Sequence, residues 1–168
     1  MIKDRKKLIT GIICVIILGI IFMLYNSGII GGKTMIVGKN ISQEDITDFY
    51  FTYDSSTNPP YFQRYRLYLE EGKHYFYHEK REGDHWPLTE SDVTISGKKE
   101  LSEEEWENFY ELLEGGTVEK RKEHLESGGR GPWLFIYWKK DKGRFQEYSF
   151  ESYDKQLEFE KYCKKTAE

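Results

Sequence analysis

The pattern of apolar and polar positions divides the chain into an uncharged N-terminal run and a longer part in which apolar and polar residues alternate. The run covers residues 8–25 and follows a segment with four basic residues, Lys3, Arg5, Lys6 and Lys7. At about 1.5 Å per residue, a helix over this run would extend roughly 27 Å, close to the hydrocarbon thickness of a bilayer. The run therefore predicts a transmembrane helix over residues 8–25.

The flanking charges predict the direction of this helix. Basic residues are concentrated before the run, so the positive-inside bias places residues 1–7 in the cytoplasm as a basic tail and the C-terminal part outside. A cleaved secretory signal is one alternative, although the sequence around Asn26 is a poor cleavage site. A lipoprotein signal would need a small residue before Cys14, where Ile13 stands, and a buried core helix is the third alternative.

Residues 26–44 contain several glycines and predict a stalk between the anchor and a domain over residues 45–168. The apolar segment 35–37 interrupts this pattern and would lie either on the bilayer or on the domain. Residues 45–168 are enough for one domain with its own hydrophobic core.

Alternation with a period of two predicts strands at residues 46–54, 61–70 and 73–79, joined as an antiparallel meander. In the second of these strands, Arg64 and Arg66 share one face. Four further strands are predicted downstream, at residues 92–96, 117–123, 132–139 and 144–150.

Two helices have clear start signals. Ser102 with Glu105 forms a capping box before a helix whose apolar stripe includes Trp106 and Phe109. Ser152 is predicted to cap a final helix over residues 153–165. The order of the elements predicts an α+β fold, in which an antiparallel sheet of about five to seven strands carries both helices on one face.

Several of these segments together resemble a class of uncharacterised membrane-anchored extracytoplasmic domains of Gram-positive bacteria. The residues that carry the resemblance are Ile46-Thr47-Asp48-Phe49-Tyr50-Phe51, Tyr65-Arg66-Leu67, Trp133-Leu134-Phe135-Ile136-Tyr137 and the closing helix. The resemblance covers most of the chain after the anchor. That class has no established activity, so the resemblance assigns no functional residue.

The net charge narrows the classes of partner. The chain has a formal net charge of −4, and the first seven residues contribute +3, which leaves −7 for the remainder. A net acidic domain disfavours nucleic acid as a partner.

Cys14 lies in the apolar run and Cys163 near the C-terminus, so no intrachain disulfide is expected. The position of Cys163 beside Tyr162 on a helix indicates a small core residue, with a reactive thiol or intermolecular bridge as the alternative.

No group of residues in the sequence predicts catalysis, a metal site or a cofactor. His74 and His78 share a strand face but lie about 13 Å apart, too far to bind one metal unaided. The glutamates at 103–105 suit the first turn of a helix better than a catalytic pair. The glycine-rich segment 127–132 is not a P-loop, and Arg130 within it is a candidate anion ligand, with a simple connector as the alternative.

The aromatic strand is the strongest candidate for a binding surface. Trp133, Phe135 and Tyr137 share one face, and the intervening side chains share the other. Two helices can cover only one face of the sheet, so these three rings would line the other face, which suits contact with a peptide, protein or sugar. A dimer interface or a fully covered strand is the alternative.

These patterns predict a single-pass membrane protein that displays a binding or interaction domain outside the cell and has no catalytic activity. The expected partners are the lipid bilayer, through residues 8–25, and an envelope protein, peptide or glycan, through Trp133, Phe135, Tyr137 and Arg130. Two alternatives remain: a cell-surface hydrolase using loops around His78, His85, Gly128 and Arg130, or an accessory subunit of a membrane complex.

Overall fold

A computed structural model of the chain describes residues 11, 13–23, 34–56, 59–119, 132–139 and 146–168. It separates into two units, Met1–Lys33 and Thr34–Glu168. In the first unit, residues 13–23 form helix α1, whose apolar side chains are exposed, Val15 at 70% and Met23 at 73%. Among the residues described, no helix is both long and apolar enough to span a membrane. Residues 8–10, 12, 24 and 25 of the predicted span lie outside the described residues, so the transmembrane helix stays a prediction.

The second unit is built on one antiparallel sheet of eight strands. The strands are β1 Met35–Ile36, β2 Ile46–Ser55, β3 Tyr61–Glu70, β4 Lys73–Glu82, β5 Val93–Glu100, β6 Thr117–Glu119, β7 Trp133–Trp138 and β8 Gln146–Ser149. Their order across the sheet is β1-β6-β8-β7-β2-β3-β4-β5. The predicted α+β class is confirmed, with eight strands where five to seven were expected.

The β3–β4 hairpin is the longest regular pairing in the sheet, and its turn explains its register. The two turn residues, Glu71 and Gly72, both have positive φ, 51° and 79°. Such a turn has the twist that a two-residue hairpin needs. As a result, β3 and β4 pair without a break from Glu70↔Lys73 to Tyr61↔Glu82.

The extra strand comes from residues that the sequence predicts as part of the stalk. Met35 pairs with Val118 in β6, and Val37 and Ile41 are each only 1% exposed. Burial of this apolar surface stabilises the packed arrangement. Residues 34–44 therefore lie on the domain, which decides between the two positions expected for the segment 35–37. Residues 26–33 lie outside the described residues.

Two further helices, α2 Glu103–Leu113 and α3 Tyr153–Thr166, begin at the predicted caps. Ser102 Oγ accepts a hydrogen bond from Glu105 N at 3.2 Å, and the Glu105 carboxylate accepts one from Ser102 N at 2.8 Å. Ser152 Oγ accepts from Lys155 N at 3.2 Å. These bonds satisfy N–H groups that the helix itself leaves unpaired, so both helices start at these serines.

The core lies between one face of the sheet and these two helices. The ring of Phe49 in β2 makes edge contacts with Phe109 of α2 at 5.6 Å, Phe159 of α3 at 5.4 Å and Tyr148 of β8 at 5.2 Å. The Tyr148 hydroxyl donates to the carbonyl of Leu113 at 3.0 Å. A Cβ at Gly116 would overlap that hydroxyl, so only glycine fits there. Both helices therefore pack on the Phe49 face, as predicted.

Replacing Phe49 by alanine should remove the ring that joins both helices to the sheet. We expect Phe49→Ala to lower the free energy of unfolding by about 3–5 kcal/mol, the usual cost of truncating a buried phenylalanine. Urea denaturation followed by circular dichroism would measure this. Tyr153→Ala is the matched control, because Tyr153 is 69% exposed and its truncation should cost at most about 0.5 kcal/mol. Equal effects of the two substitutions would contradict the core described above.

Candidate binding site

Trp133, Phe135 and Tyr137 lie on the sheet face opposite to the one that α2 and α3 cover. In the register of β7 with β2, Phe135 lies opposite Tyr50, and Trp133 lies opposite Thr52. The intervening Leu134 and Ile136 lie opposite the core residues Phe51 and Phe49. We call the surface formed by Trp133, Phe135 and Tyr137 of β7, Tyr50, Thr52 and Asp54 of β2, and Phe62, Arg64 and Arg66 of β3 the aromatic face.

A cleft of about 400 Å³ opens on the aromatic face, and we call it the main cleft. It is lined by three strands: Tyr50, Thr52 and Asp54 of β2, Phe62 and Arg64 of β3, and Trp133, Phe135 and Tyr137 of β7. Its volume falls within the range of about 300–1,000 Å³ that is usual for small-molecule sites. The structure therefore brings three of the predicted binding residues into one cleft, and Arg130, the fourth, lies outside the described residues.

Most cations near the aromatic face are matched by carboxylates. Arg66 donates from Nη2 to Asp48 Oδ2 at 2.6 Å and from Nε to Oδ1 at 3.0 Å. Arg81 is bonded both to Glu79 at 2.6 Å and to Glu90 at 2.7 Å. Lys98, in the edge strand β5, is bonded to Glu70. These bonds hold each cation in place and neutralise its charge.

Arg64 differs from these cations. Its guanidinium carbon lies 5.1 Å from the ring centre of Phe62 and 5.5 Å from that of Tyr50. Its Nε donates to the Thr52 hydroxyl at 3.4 Å. In the described part of the chain, no carboxylate lies within ion-pair distance of this guanidinium. The two rings thus hold a flat cation whose remaining donors face no protein acceptor there.

Asp54, in the same cleft, has a polar atom that the described residues do not satisfy. Its Oδ1 is buried and has no hydrogen-bond partner among them. Burial raises the pKa of this carboxyl, while a hydrogen bond from the Ser55 backbone and the charge of Arg64 act in the opposite direction. Leaving such an acceptor unpaired costs about 1–3 kcal/mol, so a buried unpaired oxygen in a native protein calls for an explanation, such as a bound water, an ion or a ligand.

Sequence reasoning missed Tyr50, Thr52, Asp54 and Phe62 as site residues and noted Arg64 only for its strand face. The signal was present in the alternation of β2, because Phe49 and Phe51 enter the core and the residues between them must face the other way. The register that places Tyr50 beside Phe135 and Arg66 is a long-range pairing. It becomes visible only in the folded sheet.

A second cleft, of about 260 Å³, adjoins the main one and shares Asp54, Phe62 and Arg64 with it. Its other lining residues are Arg81, Leu88 and Trp86, and the Trp86 side chain is 50% exposed. We call this the Trp86 cleft. Together the two clefts form a groove from β7 to the loop after β4.

The residues of the predicted alternative enzyme do not converge in these clefts. His85 lies 3.3 Å from Asp84 and 3.5 Å from Asp92, but all three lie outside the linings of both clefts. Gly128 and Arg130 lie outside the described residues. Within the described stretches, no group of three or more His, Cys, Asp or Glu side chains is placed to hold a metal ion.

His74 and His78 point to the helix side of the sheet and take part in packing. His78 stacks on Tyr65 at 4.7 Å, and its Nε2 accepts a hydrogen bond from Gln63 Nε2 at 3.0 Å. His74 stacks on Trp106 at 4.0 Å. Burial lowers the pKa of both imidazoles, aided at His78 by the charge of Lys80 and opposed at His74 by Glu103. Both histidines are therefore neutral core-side residues at neutral pH.

No protein-family model, curated protein or solved structure matches the chain. The resemblance to membrane-anchored domains thus stays a prediction.

The lowered pKa values predict how stability depends on pH. In the unfolded chain these histidines are protonated near their ordinary pKa of about 6.5. In the folded chain their pKa is lower, so they take up protons only at more acidic pH. The free energy of unfolding should therefore be highest above that pH and should fall between pH 7.5 and 5.5. Urea titrations at both pH values would show the fall, and it should be smaller in the His74→Gln/His78→Gln variant. An equal fall in both proteins would contradict this assignment.

Cys163 should be unreactive in the folded protein. It is fully buried, and burial raises the pKa of its thiol, which disfavours the thiolate that reacts. In a Cys14→Ser variant, iodoacetamide should modify Cys163 only after the addition of urea, as measured by mass spectrometry. Rapid modification of the native protein would instead support the reactive thiol considered from the sequence.

Proposed function

We propose that the chain is a single-pass membrane-anchored binding domain, displayed outside the cell, which holds its ligand in the main cleft and performs no chemistry on it. The observation that carries the proposal is that Arg64 and Asp54 line the same aromatic cleft without being bonded to each other. Arg64 has donors that face no carboxylate among the described residues, and Asp54 has a buried oxygen without a partner among them.

A ligand would satisfy both groups at once. A hydroxyl or amide in the main cleft can donate to the Asp54 carboxylate and accept from Arg64, while its apolar part lies against the rings. The rings of Phe62 and Tyr50 hold the guanidinium before the ligand arrives, so little conformational entropy is lost on binding. A few directed polar groups among aromatic walls are the usual composition of a ligand site.

The anchor is supported by the N-terminal unit. Apolar side chains surround α1 and are exposed, and the residues before it are basic. Such a surface is stabilised by lipid, and the basic flank favours a cytoplasmic N-terminus. The display of the domain outside the cell follows from this orientation.

Binding without catalysis is favoured over hydrolysis by the chemistry of the lining residues. The main cleft presents one carboxylate beside one guanidinium, and the Thr52 hydroxyl accepts a bond from that guanidinium. A hydrolase of the predicted type would place an imidazole or a second carboxylate at this point.

The orientation can be tested with protease on intact cells that produce the chain. We expect proteinase K to digest residues 34–168 from the outside and to leave an N-terminal tag untouched, because the tag precedes the anchor in the cytoplasm. Immunoblots against tags at both termini would record this. Protection of a C-terminal tag until the cells are lysed would contradict the proposed display.

The site can be tested by co-sedimentation of the full chain, in detergent micelles, with cell-envelope fragments from the same cells. We expect Arg64→Ala and Asp54→Asn each to weaken retention roughly tenfold or more, since a hydrogen bond to a charged group contributes about 1.5–3 kcal/mol. Lys99→Ala is the matched control, because Lys99 is an exposed residue bonded to Glu105 at the sheet's other side. Unchanged retention of both site variants would contradict the proposed site.

A further inference from the structure

We propose that the ligand is a linear glycan whose sugar units occupy the main cleft and continue into the Trp86 cleft. This inference rests on the proposed binding function and adds the chemical class of the ligand and the path it follows.

The shared wall of the two clefts indicates an elongated ligand. Asp54, Phe62 and Arg64 line both clefts, so a molecule that fills the two must pass over these three side chains. The Trp86 cleft, at about 260 Å³, is smaller than the roughly 300 Å³ at which separate small-molecule sites begin. It therefore serves better as an extension of the main cleft than as a site of its own.

The lining of the groove has the chemistry that a sugar ring needs. A pyranose has an apolar face of C–H groups and a rim of hydroxyls that both donate and accept. Four aromatic lining residues can contact the C–H faces, namely Trp86, Trp133, Phe135 and Tyr137. The rings of Tyr50 and Phe62 are stacked with arginines. At the shared wall, one hydroxyl can donate to Asp54 and a neighbouring hydroxyl can accept from Arg64, which satisfies both groups with adjacent atoms of one ring.

A peptide fits this groove less well. The main cleft lies over β2, which is paired on one side with β3 and on the other with β7. A peptide therefore cannot add to the sheet here through its main chain, as it would at a free edge. Its amides would depend on side chains for hydrogen bonds, and the described polar groups lining the main cleft are those of Thr52, Asp54 and Arg64, the Tyr50 and Tyr137 hydroxyls and the Trp133 indole N–H.

The loop that carries Trp86 is held at the edge of the groove. Thr89 N donates to Asp92 Oδ2 at 2.6 Å, which closes a turn, and Arg81 of β4 bonds Glu90 at 2.7 Å. The loop is thus tied to the same strand that lines the Trp86 cleft. Because hydrogen bonds hold this loop, the half-exposed Trp86 indole can contact a ligand with little loss of conformational entropy.

The test is calorimetric titration of the full chain, in detergent micelles, with oligomers of N-acetylglucosamine, glucose and mannose, each from the monomer to the hexamer. In at least one series, affinity should increase with length until both clefts are filled. Trp86→Ala should lower the affinity for the longest oligomer roughly threefold to tenfold, the range expected for one aromatic contact, and leave the shortest binder unchanged. Trp86→Phe should restore most of the loss, and Tyr153→Ala should change nothing.

The possible failures separate the two proposals. If no series binds while envelope fragments are still retained through Arg64, the glycan is wrong and the binding function stands. Arg64-dependent binding of a cell-wall stem peptide in place of every sugar series would overturn the glycan in the same way. Equal affinities of Trp86→Ala and the unmodified chain for every length would overturn the path through the Trp86 cleft. Absence of binding to sugars, peptide and envelope fragments alike would overturn both proposals.

Discussion

The packing of the Phe49 ring is the constraint on which the rest of the structure depends. This ring joins β2 at the middle of the sheet to α2 through Phe109 and to α3 through Phe159. Both helices are thereby placed on one face. Strand alternation then requires Tyr50, Thr52 and Asp54 to face away from the helices, beside the aromatic side chains of β7. The candidate site is therefore a direct consequence of how the core is filled.

The same strand alternation places Arg64 and Arg66 of β3 on the aromatic face. Arg66 reaches Asp48 across the β2–β3 pair and is neutralised there. Arg64, two residues earlier, meets rings and a hydroxyl. Its charge acts to lower the pKa of two carboxyls, those of Asp54 and of its cross-strand neighbour Glu79, although neither is bonded to it. On the same strand, Arg66 therefore forms a structural ion pair, whereas Arg64 forms none with a described carboxylate and can bond a ligand.

Much of the fold could be predicted because its signals are local. The alternation in β2 and β3, the capping box at Ser102 and the cap at Ser152 each lie within a few residues. Strand β1 could not be predicted in the same way, since two residues carry no periodicity and its partner, Val118, is distant in the chain. The unsatisfied Asp54 oxygen and the approach of Trp86 to Arg64 depend on burial and on long-range pairing. Sequence patterns therefore pointed to the aromatic strand that lines the main cleft but not to Asp54 and Arg64 beside it.

The helices seal one face of the sheet, and the opposite face is the one proposed to receive a ligand. Hydroxyl-radical footprinting of the full chain, read residue by residue against the urea-unfolded chain, measures this difference directly. We predict that oxidation of Tyr50 and Phe62 is only partly slowed by folding and that oxidation of Phe49 and Phe159 is strongly suppressed, in line with their burial. Equal protection of Tyr50 and Phe49 would contradict the account.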